Sequence, residues 1–245
     1  MSPANKVDVV LLSDRDIPTC FEVLSESFGH DAPFVDNYFP NHDTPSGRAK
    51  GSERLLLWKQ NSSNSIFLKA VTRTGPGDQE CIIGLATWTL MREPPPAELD
   101  MAENVEDVWP DKDDREFMTR LWRSYVVPRT QAIKDSNGKG VYGKVEVHKS
   151  RTTRYGLLMS WVVLELLAVH PNYQRLGAGA ALVKWGIESA DEQGLKAFVE
   201  GTPIGRRLYE KCGMRAEIEE IKFDVGEEFA ERRKPKLVFL SREPN

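Results

Sequence analysis

The stretch LELLAVHPNYQRLGAGAALVKWGIESA, residues 164–190, decides the fold of this chain. It opens as an apolar run that contains one carboxylate, Glu165, passes through a glycine-containing turn, and ends in apolar residues at helical spacing. Apolar residues that do not alternate with polar ones are typical of a strand buried on both faces. We therefore predict a buried strand at about residues 161–169, followed by a helix at about residues 177–193.

Strands and helices alternate through the last third of the chain. After the helix, the patterns predict a strand at residues 196–200, a short helix at about 203–212, and strands near 215–224 and 236–241. Such alternation implies an α/β layer architecture. The N-terminal part predicts a strand at residues 7–13, a helix capped by Asp14, a second helix at 47–60, and an antiparallel hairpin of residues 65–72 and 81–90.

The segment at about residues 91–160 interrupts this organisation. Its first part is proline-rich and acidic, and residues 117–133 then resume a helical pattern that is interrupted or kinked before Pro128. Two interpretations stay open: a solvated insertion on the surface, or a lid or substrate wall whose carboxylates favour cationic substrates. Residues 142–161 are basic and irregular, which fits either a genuine loop extension or a retained intron in the gene model.

Composition excludes several function classes. Lys and Arg number 33 against 37 Asp and Glu, so 33 − 37 gives a net charge of −4, and we find no basic patch for nucleic acid. The three cysteines are odd in number and widely spaced, which indicates free thiols in a reducing compartment. No secretory signal and no apolar run of about 18 residues is found, so we expect a cytoplasmic protein without a membrane partner.

The turn between the predicted strand and helix has the chemistry of an anion site. The first N–H groups of a helix have no acceptor within the helix, and the helix dipole adds positive charge there. Gly177 and Gly179 allow close approach to the backbone, while Gln174 and Arg175 add donors. A plain glycine-rich turn is the alternative. A dinucleotide fingerprint would need glycine at Leu182, and no Gly-Lys-Ser/Thr phosphate loop occurs.

Glu165 is the candidate catalytic base. An ionised carboxylate inside a buried strand is costly unless it is paired or faces a wet cleft. Partial burial would raise the pKa of Glu165 and make it a better base near neutral pH. The alternative is a structural glutamate that is neutralised by a neighbouring Arg or Lys.

Two segments together carry a family resemblance. LLAVHPNYQRLGAGAALV, residues 166–183, resembles the acyl-CoA signature of the GNAT superfamily of N-acyltransferases, whose core reads Gln/Arg-x-x-Gly-x-Gly/Ala. FVEGTPIGRRLYEKCGM, residues 198–214, resembles the second conserved segment of that family, with Met214 in place of the usual aromatic residue. The resemblance is firm over roughly residues 160–215. The segment at 91–160 has no counterpart in the minimal fold, although fungal-type members often carry a long insertion there.

The resemblance implies an α/β fold with a GNAT-like mixed central sheet, helices on both faces, and fourth and fifth strands that splay apart to admit a thioester. It also implies a single N-acetyltransferase domain over residues 1–245 and acetyl-CoA as co-substrate. By analogy with the family, the pantetheine arm would pair with the backbone of Leu167, Ala168 and Val169. The pyrophosphate would be bound by the turn and helix start, at Gln174, Arg175, Gly177, Ala178, Gly179 and Ala180.

The expected reaction moves an acetyl group from acetyl-CoA to a primary amine. Glu165 would act as general base, with Glu200 as the backup base, and Tyr209, in the family's tyrosine position, as general acid toward the departing thiolate. Tyr209 could instead be a packing residue. The histidines His30, His42 and His148 show no metal-ligand spacing, so no metal is expected. The acceptor is expected to be a small amine; a protein lysine or N-terminal acetyltransferase, or a non-catalytic acyl-CoA sensor, is the alternative. The oligomeric state stays open.

Overall fold

The computed structural model describes residues 6–30, 32–74, 79–99, 105–135 and 161–245. Among these residues, seven strands form one mixed sheet in the order β1-β2-β3-β4-β5-β7-β6, and of the neighbouring pairs described only β4 and β5 are parallel. The strands are β1 Val7–Leu11, β2 Ser65–Thr74, β3 Gln79–Met91, β4 Trp161–Val169, β5 Lys196–Gly201, β6 Arg215–Ile218 and β7 Val238–Arg242.

Helices cover both faces of this sheet. They are α1 Ile17–Phe28, α2 Pro33–Tyr38, α3 Pro45–Asn61, α4 Val105–Val108, α5 Lys112–Tyr125, α6 Val127–Asp135, α7 Ala178–Gln193 and α8 Pro203–Lys211. On one face α7 packs through Leu182 and Val183 against Val162 and Leu164 of β4. On the other face lie α1 and α3, beside α6. The expected mixed sheet with helices on both faces is confirmed.

The elements around the opening stretch agree with their predicted bounds to within one residue. Helix α7 ends at Gly194, whose φ of +64° lies in the left-handed region that favours glycine. Two predictions were wrong. The strand expected near residues 215–224 ends at Ile218, and Asp14 does not cap α1: its carboxylate accepts from Lys59 (2.5 Å) while a 3-10 turn, Asp14–Asp16, leads into the helix.

Helices α5 and α6 belong to the core of the protein. The predicted interruption before Pro128 is confirmed, because α5 ends at Tyr125 and α6 begins at Val127. Two further clusters of buried residues form on these helices. In one cluster, the α5 residues Phe117, Met118 and Leu121 pack with Val225 and Phe229. In the other, Ile133 of α6 packs with Val163 and Phe198 of the sheet.

The interpretation of this part as a solvated surface insertion was therefore wrong for the two helices. Their apolar faces supply core that the sheet needs on that side. Residues 136–160, which include Gly138, Gly140, His148 and nearly all of the basic segment at 142–161, lie outside the described residues. In the part of the chain that is described, no helix is long and apolar enough to cross a bilayer.

Candidate active site

The parallel strands β4 and β5 stay together for only four residue pairs. Pairing runs from Trp161 opposite Lys196 to Leu164 opposite Val199, and among the described residues it goes no further. The next residue on each strand is a glutamate, Glu165 on β4 and Glu200 on β5. The sheet therefore opens at the level of two carboxylates.

A β-bulge puts Glu165 at this opening. On the other side of β4, Thr87 of β3 pairs with Leu166 and Trp88 pairs with Leu164, so Glu165 is the extra residue. A bulge re-aims the side chains of a strand, and bulges are frequent next to active sites. Here the bulge turns the carboxylate of Glu165 toward α6 on the face opposite α7, where its oxygens contact Arg129.

Beyond the bulge, alternate residues of β4 present their backbone groups to the gap. The N–H of His170 donates to the carbonyl of Ile83 on β3 (2.9 Å). Because backbone direction alternates along a strand, Ala168 also faces β3, while Leu167 and Val169 face the open side. Of the three residues expected to pair with a cofactor, Leu167 and Val169 therefore offer their groups to the gap. The Val169 carbonyl accepts from the side chain of Gln174 (3.2 Å).

The start of α7 has the geometry of an anion site. Its first helical hydrogen bond joins the N–H of Ala181 to the carbonyl of Gly177 (2.9 Å). The N–H groups of Ala178, Gly179 and Ala180 precede that bond and so have no acceptor within the helix. Gly177 has a φ of +95°, and a Cβ placed on it would meet no atom within 4 Å, so the space beside it is open. These features are those of a helix start that can bind an anion.

Arg175 and Gly179 complete the turn in different ways. Arg175 is exposed and has a φ of +64°, which is uncommon for a residue other than glycine. A Cβ on Gly179 would lie 3.0 Å from Cδ2 of Leu208 on α8 and 3.6 Å from Val169. Glycine at residue 179 therefore allows α7 to approach α8 and the end of β4 closely.

Arg129 of α6 lies between the two carboxylates. Its Nη1 donates to both oxygens of Glu165 (2.8 and 3.0 Å). Its Nε and Nη2 donate to the two oxygens of Glu200 (2.8 and 2.5 Å), and Nη2 also donates to the hydroxyl of Tyr125 (2.9 Å). One guanidinium thus binds two carboxylates, and the three charges sum to −1.

The two glutamates differ in exposure and in how they are held. The side chain of Glu165 is 13% exposed and that of Glu200 is 0% exposed. Burial raises the pKa of the Glu165 carboxyl; Arg129 opposes this effect and Glu200 adds to it. A carboxyl with a raised pKa and some access to solvent is suited to accept a proton near neutral pH.

Tyr209 lies against the end of β5. Its side chain is buried, and its ring packs where Cβ atoms on Gly201 and Gly205 would stand, 2.4 and 3.0 Å from Cε2. Burial raises the pKa of the Tyr209 hydroxyl, with a smaller contribution from Cys212, so the phenol stays protonated at neutral pH. Tyr209 also belongs to the core cluster under α7, and its catalytic role stays a prediction.

Neither Arg129 nor Tyr125 was predicted from the sequence as a site residue. A partner for Glu165 was expected to be some Arg or Lys, but its identity depends on how α6 folds back onto the sheet. The available signal was the i, i+4 spacing of Tyr125 and Arg129 in a segment with a helical pattern, a spacing that brings two side chains to the same side. Among the described residues, no three His, Cys, Asp or Glu side chains are grouped so as to bind a metal ion.

Part of the chain matches a known protein family. Residues 96–214 match the model of the acetyltransferase (GNAT) family, and this range includes α5, α6, β4, β5, α7 and α8. A search of curated proteins finds no match.

Solved structures share the fold over nearly the whole chain. One is a histone acetyltransferase HPA2 and related acetyltransferase from Corynebacterium glutamicum, with 16% identity, a TM-score of 0.56, and coverage of 98% of this chain and 97% of that one. A mosquito arylalkylamine N-acetyltransferase-like 5b has 11% identity, a TM-score of 0.57, and coverage of 97% and 100%. Arylalkylamine N-acetyltransferase 2 from Aedes aegypti has 14% identity, a TM-score of 0.50, and coverage of 98% and 100%. At these identities the likeness concerns the fold.

Proposed function

We propose that this chain, which matches the model of the acetyltransferase (GNAT) family over residues 96–214, moves an acetyl group from acetyl-CoA to a small primary amine. The observation that carries this proposal is the position of Glu165, a partly exposed carboxylate on a bulge where β4 and β5 part. An amine and a thioester could meet at that point. In this proposal residues 1–245 form one N-acetyltransferase domain, which includes the segment at about 91–160.

Acetyl-CoA, when bound, supplies the activated acetyl group, and the chain supplies its binding groups. The backbone of Leu167 and Val169 faces the gap and offers strand-like pairing to an extended pantetheine arm. The N–H groups of Ala178, Gly179 and Ala180 offer donors to the pyrophosphate, and Arg175 adds positive charge. The Val169 carbonyl already accepts from the side chain of Gln174, and its second lone pair can accept from the cofactor.

Glu165 is the better of the two candidate bases. A protonated amine cannot attack, so its proton must pass to the protein, directly or through water. Glu200 is fully buried and is bound at both oxygens by Arg129. Glu165 retains some exposure at the bulge, and burial raises its pKa. Tyr209 is proposed to donate a proton to the departing thiolate.

The charge of the site supports a cationic acceptor. Glu165, Arg129 and Glu200 sum to −1 in a buried setting, where electrostatic attraction is screened less than at a surface. An ammonium group would be attracted to this position before it loses its proton. Lysine side chains and N-terminal amines carry the same group, so protein acceptors are the second candidate.

The test is release of free thiol from acetyl-CoA in the presence of defined amines. The panel should contain simple alkylamines, arylalkylamines, and peptides with a free N-terminus or a single lysine. Amine-dependent thiol release, with the acetylated product identified by mass spectrometry, supports the proposal. Binding of acetyl-CoA without release for any amine would instead favour a non-catalytic acyl-CoA sensor.

A further inference from the structure

Arg129 donates hydrogen bonds to two carboxylates, those of Glu165 and Glu200. All three of its guanidinium nitrogens donate hydrogen bonds to side chains, and the side chain is 1% exposed. The hydrogen bonds to Glu200 come from Nε and Nη2, the two donors of one edge of the guanidinium, whereas Nη1 alone bonds Glu165. Glu200 therefore fixes the plane of the guanidinium, and Nη1 then points at the bulge.

This arrangement limits the freedom of Glu165. A carboxylate on a bulge has no regular strand partner to orient it, because its neighbours Leu164 and Leu166 make the pairs with β3. Nη1 reaches both oxygens of Glu165, at 2.8 and 3.0 Å. The cation favours the charged carboxylate, while the second carboxylate disfavours it. Arg129 and Glu200 thus act on the proton affinity of Glu165 in opposite directions.

We propose that Arg129 is a positioning residue that, held in place by Glu200, orients Glu165 and sets the pH at which it accepts a proton. This inference rests on the proposed function, in which Glu165 is the base. It assigns a role in the reaction to α6, an element outside the two sequence motifs. Among the described residues, the charged or titratable groups in contact with Arg129 are Glu165, Glu200 and Tyr125.

Two variants separate this role from a purely structural one. Glu200→Gln removes the carboxylate that opposes ionisation of Glu165, so the acid limb of the kcat/KM profile should move to lower pH. The double variant Arg129→Met/Glu200→Gln lacks the cation as well. Its acid limb should therefore lie at higher pH than that of Glu200→Gln alone, by roughly 1–3 pH units. Replacing both partners of a buried ion pair by uncharged groups is often tolerated by the fold.

Two further controls isolate Arg129. Arg129→Lys keeps the charge without the planar fork, so it should keep the limb near the wild-type pH but lower kcat. The same amine is used throughout, so its own ionisation cancels between variants. Titration of Glu165 by NMR, with ¹³C-carboxyl glutamate and Glu165→Gln for assignment, measures the same shifts without turnover.

The outcomes separate the inference from the proposed function. If no amine is acetylated, the proposed function fails, and the NMR titration alone decides whether Arg129 and Glu200 move the pKa of Glu165 in opposite directions. If acetyl transfer occurs but the limb and the NMR midpoint stay fixed across the variants, the inference is overturned. Arg129 would then serve only to hold α6 on the sheet.

Discussion

Two glutamates lie one residue beyond the last pair of β4 and β5, yet their surroundings differ. Glu200 is enclosed and bound along one edge of Arg129, whereas Glu165 is partly exposed on a bulge. A base has to exchange a proton with substrate or water, so access decides between them. The proposed general base is therefore Glu165, the residue that the pairing of β3 and β4 leaves unpaired.

Glu165→Gln should lower turnover most at neutral pH. A general base typically contributes about 10²–10⁴-fold, and the loss should shrink at high pH, where the amine is deprotonated without help. Glutamine keeps the shape of the side chain and can still accept a hydrogen bond from Arg129, so the fold should persist. The measurement is kcat as a function of pH, with Glu188→Gln on the exposed face of α7 as the matched control. An equal loss at every pH would indicate a structural role.

Tyr209→Phe should lower kcat by about ten-fold or more while acetyl-CoA binding is retained. The ring packs against Gly201 and Gly205, and phenylalanine preserves that packing while it removes the hydroxyl. Because burial raises the pKa of Tyr209, the wild-type phenol is protonated throughout the working range. The comparison is the Kd of acetyl-CoA beside kcat for the two proteins. Unchanged kcat would leave Tyr209 as a packing residue.

At the scale of the element, the bulge in β4 adds a residue that belongs to the candidate site and is not needed for the packing of the strand. Residues 162 and 164 face α7, and so do residues 167 and 169. Residue 167 is three positions after residue 164, and in a regular strand two residues that are three positions apart face opposite sides of the sheet. One extra residue makes this possible, because strand side chains otherwise alternate strictly between the faces. The bulge therefore lets the residues before and after it keep their buried faces, and the extra residue that it adds is Glu165.

Deletion of Glu165 should accordingly leave a folded protein without activity. With residue 165 removed, Leu164 and Leu166 become neighbours, opposite Trp88 and Thr87, and no side chain changes face. Acetyl transfer should fall by at least the 10²-fold expected for loss of a base. Thermal unfolding followed by circular dichroism, beside thiol release, measures the two effects.

Deletion of Val163 is the matched control for this experiment. The bulge can absorb that deletion only if Leu164 and Glu165 both change face, which exposes a core leucine and buries the carboxylate under α7; otherwise one side of β4 loses its register with β3. This deletion should abolish cooperative unfolding. If deletion of Glu165 destabilises the protein as much as deletion of Val163, the fold itself requires the bulge, and the extra residue does not serve the site alone.

Elements with strong local signals could be predicted from the sequence. The apolar run of β4 and the glycine that ends α7 are local features, and the predicted bounds agree with the structure. Helix α2 was not predicted, because six residues, Pro33–Tyr38, are too few to show a helical period. The bulge could not be predicted either, because it is a difference in register between β3 and β4 and needs both strands.

The candidate site shows the same division between local and tertiary information. Glu165 and the start of α7 lie in one continuous stretch, so their chemistry was visible in the sequence. Arg129 lies 36 residues before Glu165 and reaches it only because α6 packs on the sheet. The spacing of apolar residues predicts single helices and strands, but it does not predict which distant elements contact one another. The sequence therefore indicated that Glu165 needs a partner without identifying it.

At the scale of the whole molecule, the candidate cofactor site is made by several elements that meet at the gap. The end of β4, the start of α7 and Leu208 of α8 converge at Gly179, and α6 closes the opposite face through Arg129. A ligand bound there would contact elements on either side of the gap. It would bind the folded chain and not the unfolded one, so binding is linked to stability.

Acetyl-CoA should therefore raise the melting temperature. At a concentration of about 100 times Kd the linkage adds roughly 2.7 kcal/mol, which for a chain of this size corresponds to a shift of about 5–11 °C. Gly179→Val should abolish the shift. Its Cβ would lie 3.0 Å from Cδ2 of Leu208, closer than ordinary contact, so the added side chain would crowd Leu208 and the start of α7 where the phosphates must approach the backbone.

The comparison is between shifts within each protein, so any loss of stability in the unliganded variant cancels. Lys184→Gln, on the exposed face of α7, is the matched control and should keep the full shift. Leu208→Ala added to Gly179→Val gives the new side chain room and should restore part of it, because the crowding is the cause of the loss. Equal shifts in wild type and Gly179→Val would mean that acetyl-CoA binds elsewhere and that the start of α7 is not its phosphate site.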